Sequence, residues 1–366
     1  MRLKTLLTSD LHLGMKFAGY PDVREELCEA RFVALERLVR RANEESCELL
    51  VVAGDLFNGI SPAKRDNARA REALGEFDGK LVAVLPGNHD FVTPGTSDLW
   101  ATFAEQTSGN VVVLDSTEPY PLTDHGIDAC LYPAPCTSKT SPTNNVSWIA
   151  QAPRDDTIGL HIGVAHGTIE GVSPDFDNRY YPMTVSELSE LNMDCWFVGH
   201  THVPWRRDTI LYPGTPEPDG FDCRHGGTAF IVELDSGGMV EAREIACGTY
   251  RFMHETRAVR GAADLSKAGR AYASGYDNCL LKLKVTGMLP KEEYPKLDEL
   301  RRSIADSVFL LQSCDAEVKE EITREDIDSE FTPGSLPHRL LHGLCENDAD
   351  WEALQIAYQM LREARR

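Results

Sequence analysis

The feature that most narrows the choice of fold is an alternation. Short apolar runs are separated by longer stretches of helical spacing, from the first residues to about residue 205. The runs are Lys4 to Thr8, Leu49 to Ala53, Leu81 to Leu85, Val111 to Leu114, Ile127 to Tyr132, Leu160 to Ala165 and Cys195 to Val198. Between the first two, Leu27, Ala30, Val33 or Ala34, Leu35, Leu38 and Ala42 recur at helical spacing within Val23 to Asn43, as a crossover helix requires. Runs that are apolar throughout belong to strands covered on both faces, so the pattern predicts an α/β fold with helices over a buried sheet. Ala229 to Leu234 and Val240 to Cys247, flanking Asp235-Ser236-Gly237-Gly238, read as a β-hairpin that closes this part of the chain.

Five of the runs end in polar clusters. They are "SDLHLG" with Asp10 and His12, "AGDLFNG" with Asp55, "PGNHD" with Asn88, His89 and Asp90, "AHG" with His166, and "GHTHVP" with His200 and His202. Taken alone, Asn88 to Asp90 after Gly87 suits a plain turn, and a single histidine such as His166 suits a structural role. Loops at the carboxyl ends of parallel strands, however, gather on one rim, where residues distant in sequence can share a site. Imidazoles, carboxylates and an amide oxygen, with no thiolate, suit hard-to-borderline divalent metals. On extended segments Asp-x-His and His-x-His aim both side chains of a pair the same way, and Asp55 can bridge two ions. Two ions that share a carboxylate clamp a phosphate and acidify a bound water enough to give hydroxide near neutral pH. Gly54, Gly87, Gly167 and Gly199 let backbone approach where a Cβ would obstruct. His125, His161, His225, His254, His338 and His342 lack such a context and read as surface or core residues.

With 366 residues, 42% of them apolar, the chain has material for a large catalytic domain and a smaller one. No signal peptide and no membrane-length apolar stretch is expected, which points to a cytoplasmic protein. The 10 cysteines form no Cys-x-x-Cys pair and read as reduced core residues. Against 37 Lys and Arg stand 58 Asp and Glu, a net charge of −21, with the deficit concentrated before Arg251. Such a field argues against binding nucleic acid through a broad basic face, though not against DNA gripped locally by metal ions or brought by a partner.

The expected domains are 1–250, catalytic; 251–330, a small α+β cap; and 331–366, a helical segment available to a partner. In the cap, Leu280 to Val285 reads as a strand, Glu292 to Ala305 as a helix and Val308 to Gln312 as another strand. The acidic stretch Asp315 to Glu330 reads as a solvated face or linker, and "FTPGS" at Phe331 to Ser335 as a break. Asp348 to Arg366 reads as an Asp-capped amphipathic helix with Trp351, Leu354, Tyr358 and Leu361 on one stripe and Arg365 and Arg366 at its end. That stripe suits packing on its own domain, or docking on a partner helix.

At the five clusters the chain resembles the calcineurin-like metallophosphoesterases, whose signature runs D-x-H, G-D, G-N-H-D/E, H and G-H-x-H. All the blocks are present in order, over about residues 1 to 235. The resemblance implies a layered β-sheet core flanked by helices. It also implies one ion on Asp10, His12, Asp55 and His202, and another on Asp55, Asn88, His166 and His200. His89 would contact the scissile phosphate and protonate the leaving oxygen, with Asp90 orienting its ring. "SDLHLGMKF", "VVAGDLFN", "AVLPGNHD", "GHTHVP", "LYPGTPE" and "LLKLKVTGMLPKEEY" are most similar to the SbcD-type DNA repair exonucleases. These imply DNA as substrate, two divalent ions with manganese ahead of iron, magnesium or zinc, a homodimer, and an SMC-like ATPase of the SbcC type as partner. Asn58 departs from relatives that carry His or Asp there.

The first functional reading is therefore a two-metal DNA phosphodiesterase, in which hydroxide attacks phosphorus and His89 assists the leaving group. Lys16, Arg179, Arg206 and Arg207 are candidate phosphate contacts, or ordinary solvated surface. The alternatives are a small-molecule phosphomonoesterase or nucleotide phosphodiesterase, which an acidic field disfavours less, and a non-catalytic scaffold.

Overall fold

In the computed structural model, which describes residues 2–93, 99–173, 177–346 and 351–364, the expected alternation forms close to the boundaries read from sequence. The order is β1 (Arg2–Thr8), α1 (Arg24–Glu44), β2 (Leu49–Ala53), α2 (Lys64–Gly75), β3 (Leu81–Leu85), α3 (Leu99–Glu105) and β4 (Val111–Val113). Then come β5 (Tyr120–Pro121), β6 (Cys130–Ala134), β7 (His161–His166), α4 (Val185–Glu190), β8 (Cys195–Gly199), β9 (Trp205–Arg207), β10 (Ile210–Tyr212) and the hairpin of β11 (Thr228–Asp235) and β12 (Gly238–Ala246). The short β9 and β10 carry little apolar length and were not legible as strands.

These strands divide between two sheets, a partition the run pattern did not contain. The first has the order β12-β11-β1-β2-β3-β4 and the second β5-β6-β7-β8-β10-β9. Strands β1 to β4 run parallel, as do β6, β7, β8 and β10, while the flanking strands are antiparallel.

Two-residue periodicity then sorts the core into layers. Leu6, Leu50, Val52, Val82 and Val84 face Phe32, Leu35 and Leu38 of α1 and Ala70 and Leu74 of α2. Their neighbours Leu7, Leu49, Val51, Leu81, Ala83 and Leu85 face Leu131, Ile162, Val164 and Phe197 of the second sheet. Tyr132, Trp196 and Val198 turn outward under Met183 and Leu188. The result is helix, sheet, sheet, helix. Acidic Glu25 and Glu26 open α1 and Arg41 closes it, in keeping with the helix dipole.

The chain divides into two compact units, Met1–Met253 with Asn278–Leu280, and His254–Asp277 with Leu281–Arg366. The second is built on β13 (Arg251–Arg260), α5 (Ala262–Arg270), β14 (Cys279–Leu289), α6 (Pro295–Ala305), β15 (Leu310–Glu320), α7 (Arg324–Glu330), α8 (Leu336–Cys345) and α9 (Trp351–Glu363), with sheet order β13-β14-β15. Residues 331–366 fall within this unit.

The acidic stretch is not a linker: it completes β15 and then forms α7, opened by a capping box between Thr323 and Asp326. Acids in the first turn of a helix are favoured by its dipole, which accounts for Glu325 and Asp326. Leu354 and Tyr358 of α9 pack with Ile327, Phe331 and Leu341, with Leu361 against them, so these three residues of the stripe are covered within their own unit. The Asp348 cap and Arg365 and Arg366 lie outside the described residues.

His338 and His342, one helical turn apart, both donate to Asp328, at 2.8 and 2.7 Å. The Gly334 N–H meets His338 Nδ1 at 3.4 Å, which leaves Nε2 as the donor; the trio is a satisfied clamp between α7 and α8. Among the described residues the 10 cysteines form no disulfide, and Cys28 and Cys345 alone among them are not buried. Among the described residues no helix is long and apolar enough to cross a membrane.

Candidate metal centre

The first sheet delivers Asp10 and His12 beyond β1, Asp55 beyond β2 and Asn88 beyond β3; the second delivers His166 at the end of β7 and His200 and His202 beyond β8. Pairing continues past the strands. Asp10 N–H donates to the Gly54 carbonyl at 3.1 Å and His12 N–H to that of Asp55 at 2.9 Å, so the first two loops lie side by side.

The Asp-x-His and His-x-His segments, expected to be extended, are instead turned. Asp10, His12, Asp55 and His200 have φ of 55, 46, 56 and 103°, left-handed values that cost non-glycine residues energy. Their side chains converge through turns, held by surrounding structure. Gly54 must be glycine here: its φ is +93°, and a Cβ would lie 2.0 Å from His166 Nδ1. At Gly199 a Cβ would lie 1.9 Å from the Ala53 carbonyl oxygen. These contacts bring the two sheet edges within reach of one another.

The donors fall into two sets around one carboxylate oxygen. Asp55 Oδ2 is 3.6 Å from His12 Nε2 and 3.4 Å from His166 Nε2. On the first side, His12 Nε2 is 3.1 Å from His202 Nε2, and Asp10 Oδ1 is 3.8 and 3.7 Å from those two nitrogens. On the other side, Asn88 Oδ1 is 3.0 Å from His166 Nε2 and 2.9 Å from His200 Nδ1. Metal–ligand bonds of about 2.1 Å place neighbouring donors about 3.0 Å apart in an octahedron and about 3.4 Å in a tetrahedron, so these spacings fit a bound ion.

The protons point the same way. His166 donates through Nδ1 to the Ala53 carbonyl at 2.9 Å, and His202 through Nδ1 to Asp219 at 3.0 Å. The His166 ring therefore presents Nε2 to the acceptor oxygens of Asn88 and Asp55, a contact that needs a shared proton or metal ion, while His202 presents Nε2 to His12 Nε2. Asp10 Oδ1 is buried with no hydrogen-bond partner, whereas its Oδ2 accepts from Ser9 and from the His200 N–H. An unpaired buried carboxylate oxygen among ring nitrogens suits a divalent ion.

Burial raises the Asp55 carboxyl, but His166, His12 and His89 more than reverse this and hold it well below the usual carboxylate range. Burial also opposes charge on His166, yet Asp55 and Asp10 carry it up to about 9. His200, buried beside His166, is pushed down to about 3.

His89 is half-buried, its N–H donating to Asp55 Oδ1 at 2.8 Å and its ring edge-on to His12 with centroids 4.7 Å apart. The expected Asp90–His89 hydrogen bond does not form. Asp90 instead accepts from the N–H groups of Phe57 and Gly87, at 2.8 and 2.7 Å, and its carbonyl accepts from Trp100. Burial and the Asp55 charge raise its carboxyl to about 8. Two convergent backbone donors made it a loop brace.

Lys16 and Arg179 are exposed, and Arg179 adjoins Tyr180, whose ring lies 5.0 Å from that of His200. Arg206 donates to the Ala242 carbonyl of β12 and Arg207 lies 3.9 Å from Asp208; neither has a contact with the cluster among the described residues.

Three groups behind the ligands escaped the sequence reading. The Lys139 carbonyl accepts from Asn88 Nδ2 at 3.4 Å and so turns Oδ1 toward the histidines. Asp219 backs His202. Arg31 is buried in α1, its Nη1 donating to the Leu11 carbonyl at 2.7 Å. A signal existed for Arg31, since it interrupts the apolar face of Leu27 and Leu35 at four-residue spacing.

Residues 3–204 match the model of the family described as calcineurin-like phosphoesterase. The DNA double-strand break repair protein Mre11 of Methanopyrus kandleri is 27% identical over 255 residues, 64% of this chain and 54% of that protein. The uncharacterized metallophosphoesterase YhaO of Bacillus subtilis is 25% identical over 280 residues, 71% of this chain and 62% of that protein. The matched region thus spans little more than half the length of these relatives. A solved structure, TT1561 of Thermus thermophilus, aligns with 68% of this chain and all of its own at a TM-score of 0.37 and 12% identity. With the family match covering more than half of its residues, this chain belongs to the calcineurin-like phosphoesterases, a family of metal-dependent hydrolases.

Proposed function

We propose that the protein is a two-metal phosphodiesterase that cuts DNA near its ends, a nuclease of the SbcD and Mre11 kind. The observation that carries the chemistry is the pair of donor sets around Asp55 Oδ2, with the His89 ring beside them and free of any hydrogen bond among the described residues. Asp10, His12, Asp55 and His202 would hold one divalent ion, and Asp55, Asn88, His166 and His200 the other. Ions bound there supply Lewis acidity toward a phosphoryl group and toward water. His89 is fixed through its own backbone, so its ring is placed to contact the phosphate and pass a proton to the departing oxygen. The DNA substrate is supported by the similarity to a protein named for double-strand break repair. A partner ATPase of the SbcC type would find exposed apolar side chains at Leu336, Leu340, Ile356 and Met360 on α8 and α9.

One observation favours a second reading, a small-molecule phosphoesterase. The net charge is −21, and two of the four arginine and lysine candidates point to other partners. The test offers purified protein with manganese single- and double-stranded DNA, a bis-aryl phosphate and a mono-aryl phosphate, beside His89→Ala. DNA cleavage lost in the variant supports the nuclease; activity confined to the monoester sinks it.

A further inference from the structure

The two donor sets differ in what stands behind them. On the side of His166 the support is neutral: the Ala53 carbonyl takes the His166 Nδ1 proton, and the Lys139 carbonyl holds the Asn88 amide. On the side of His202 it is charged. Asp219 Oδ2 lies 3.0 Å from His202 Nδ1 and 3.5 Å from Arg31 Nη2. The same guanidinium, 1% exposed and covered by the Phe17 ring at 5.4 Å, donates to the Leu11 carbonyl between Asp10 and His12. One buried cation thereby ties the loop that carries two donors to the carboxylate behind a third. A carboxylate on the distal N–H of a ligating histidine fixes the tautomer, orients the ring and makes Nε2 more basic.

We infer that Asp219 and Arg31 are a positioning pair that strengthens the ion held by Asp10, His12, Asp55 and His202 selectively over the ion on the His166 side. This rests on the proposed two-ion reading. The pair does not reach substrate, because Arg31 is closed off from solvent; it acts through His202 and the Leu11 carbonyl. Its source in the sequence is a charged residue inside the apolar stripe of α1 and an aspartate in "LYPGTPEPDG", a segment to which no chemistry had been attached.

The experiment is equilibrium dialysis of the full chain against manganese, counting ions per chain, with electron paramagnetic resonance to separate coupled pairs from single ions. Wild type is expected to take two. Asp219→Asn, which keeps an acceptor for the His202 N–H but removes the charge, should weaken one ion by about 10- to 100-fold and leave the other unchanged. At intermediate manganese the variant should then show the spectrum of isolated ions, which a general loss of stability would not produce. If Asp219→Asn loses its cooperative melt, Arg31→Lys, which keeps the buried charge, should weaken the same ion by a smaller factor. Two ions retained at wild-type affinity, or both weakened equally, would overturn the positioning role and leave the two-ion reading standing. No manganese bound by wild type would overturn that reading and this inference with it.

Discussion

Asp55 and His166 meet across 3.4 Å, a carboxylate from the end of a strand in one sheet and an imidazole from the end of a strand in the other. The two layers of the sandwich thus meet at one carboxylate, and Asp55 Oδ2 also reaches His12 at 3.6 Å. Asp55→Asn should therefore empty both metal positions together. Metal content measured after dialysis is expected to fall for both ions, and turnover to drop at least about 100-fold, since Lewis-acid stabilisation is worth several kcal/mol.

In the proposed reading the adjacent His89 and Asn88 differ in role. His89→Ala should keep metal content at the wild-type level and lower kcat by about 100- to 10,000-fold, the range of a lost general acid. Asn88→Ala, by contrast, should lower occupancy on the His166 side first. Parallel metal analysis and kinetics on a bis-aryl phosphate separate the two.

Asp90 braces its loop through the N–H groups of Phe57 and Gly87. Asp90→Ala strands two buried donors and should cost about 1–3 kcal/mol for each, read from urea unfolding. An orienter of His89 would instead show wild-type stability with a kcat defect alone.

Glu217, which is not one of the clustered donors, offers a pH test. Burial raises its carboxyl to about 6, offset in part by the N–H groups of Tyr250 and Thr249. The folded state then holds this proton more tightly than the unfolded chain, so stability is higher below pH 4.5 and falls as pH rises toward about 6, by on the order of 2 kcal/mol. Urea unfolding of wild type from pH 4 to 7 should show this slope, and Glu217→Gln should flatten it.

Tyr358 packs with Ile327, Phe331 and Leu341 in the second unit. Tyr358→Ala should lower the stability of that unit by about 3 kcal/mol, seen as a lowered thermal transition, with metal content unchanged. A loss of metal content would mean that the metal centre needs the second unit.

The sequence alone carried most of the order of strands and helices and the polar side chains that the fold gathers at the strand ends. Strands buried on both faces must be apolar throughout, so β2 and β3 could be bounded to the residue, and metal chemistry needs particular side chains, so Asp10, His12, Asp55, Asn88, His166, His200 and His202 stood out at the ends of β1, β2, β3, β7 and β8. Less was written in local spacing. Nothing along the chain says which strands share a sheet, because pairing depends on faces buried across long separations. The left-handed turns at Asp10, His12, Asp55 and His200 arise because packing overrides backbone preference. Asp90 turned from His89 to two backbone donors, and Asp219 came behind His202 with Arg31, because a buried polar group takes the partner that the fold presents. Sequence supplied the donors and their strands; tertiary packing decided which atoms face each other, since hydrogen bonds and metal sites depend on distances that only the folded chain defines.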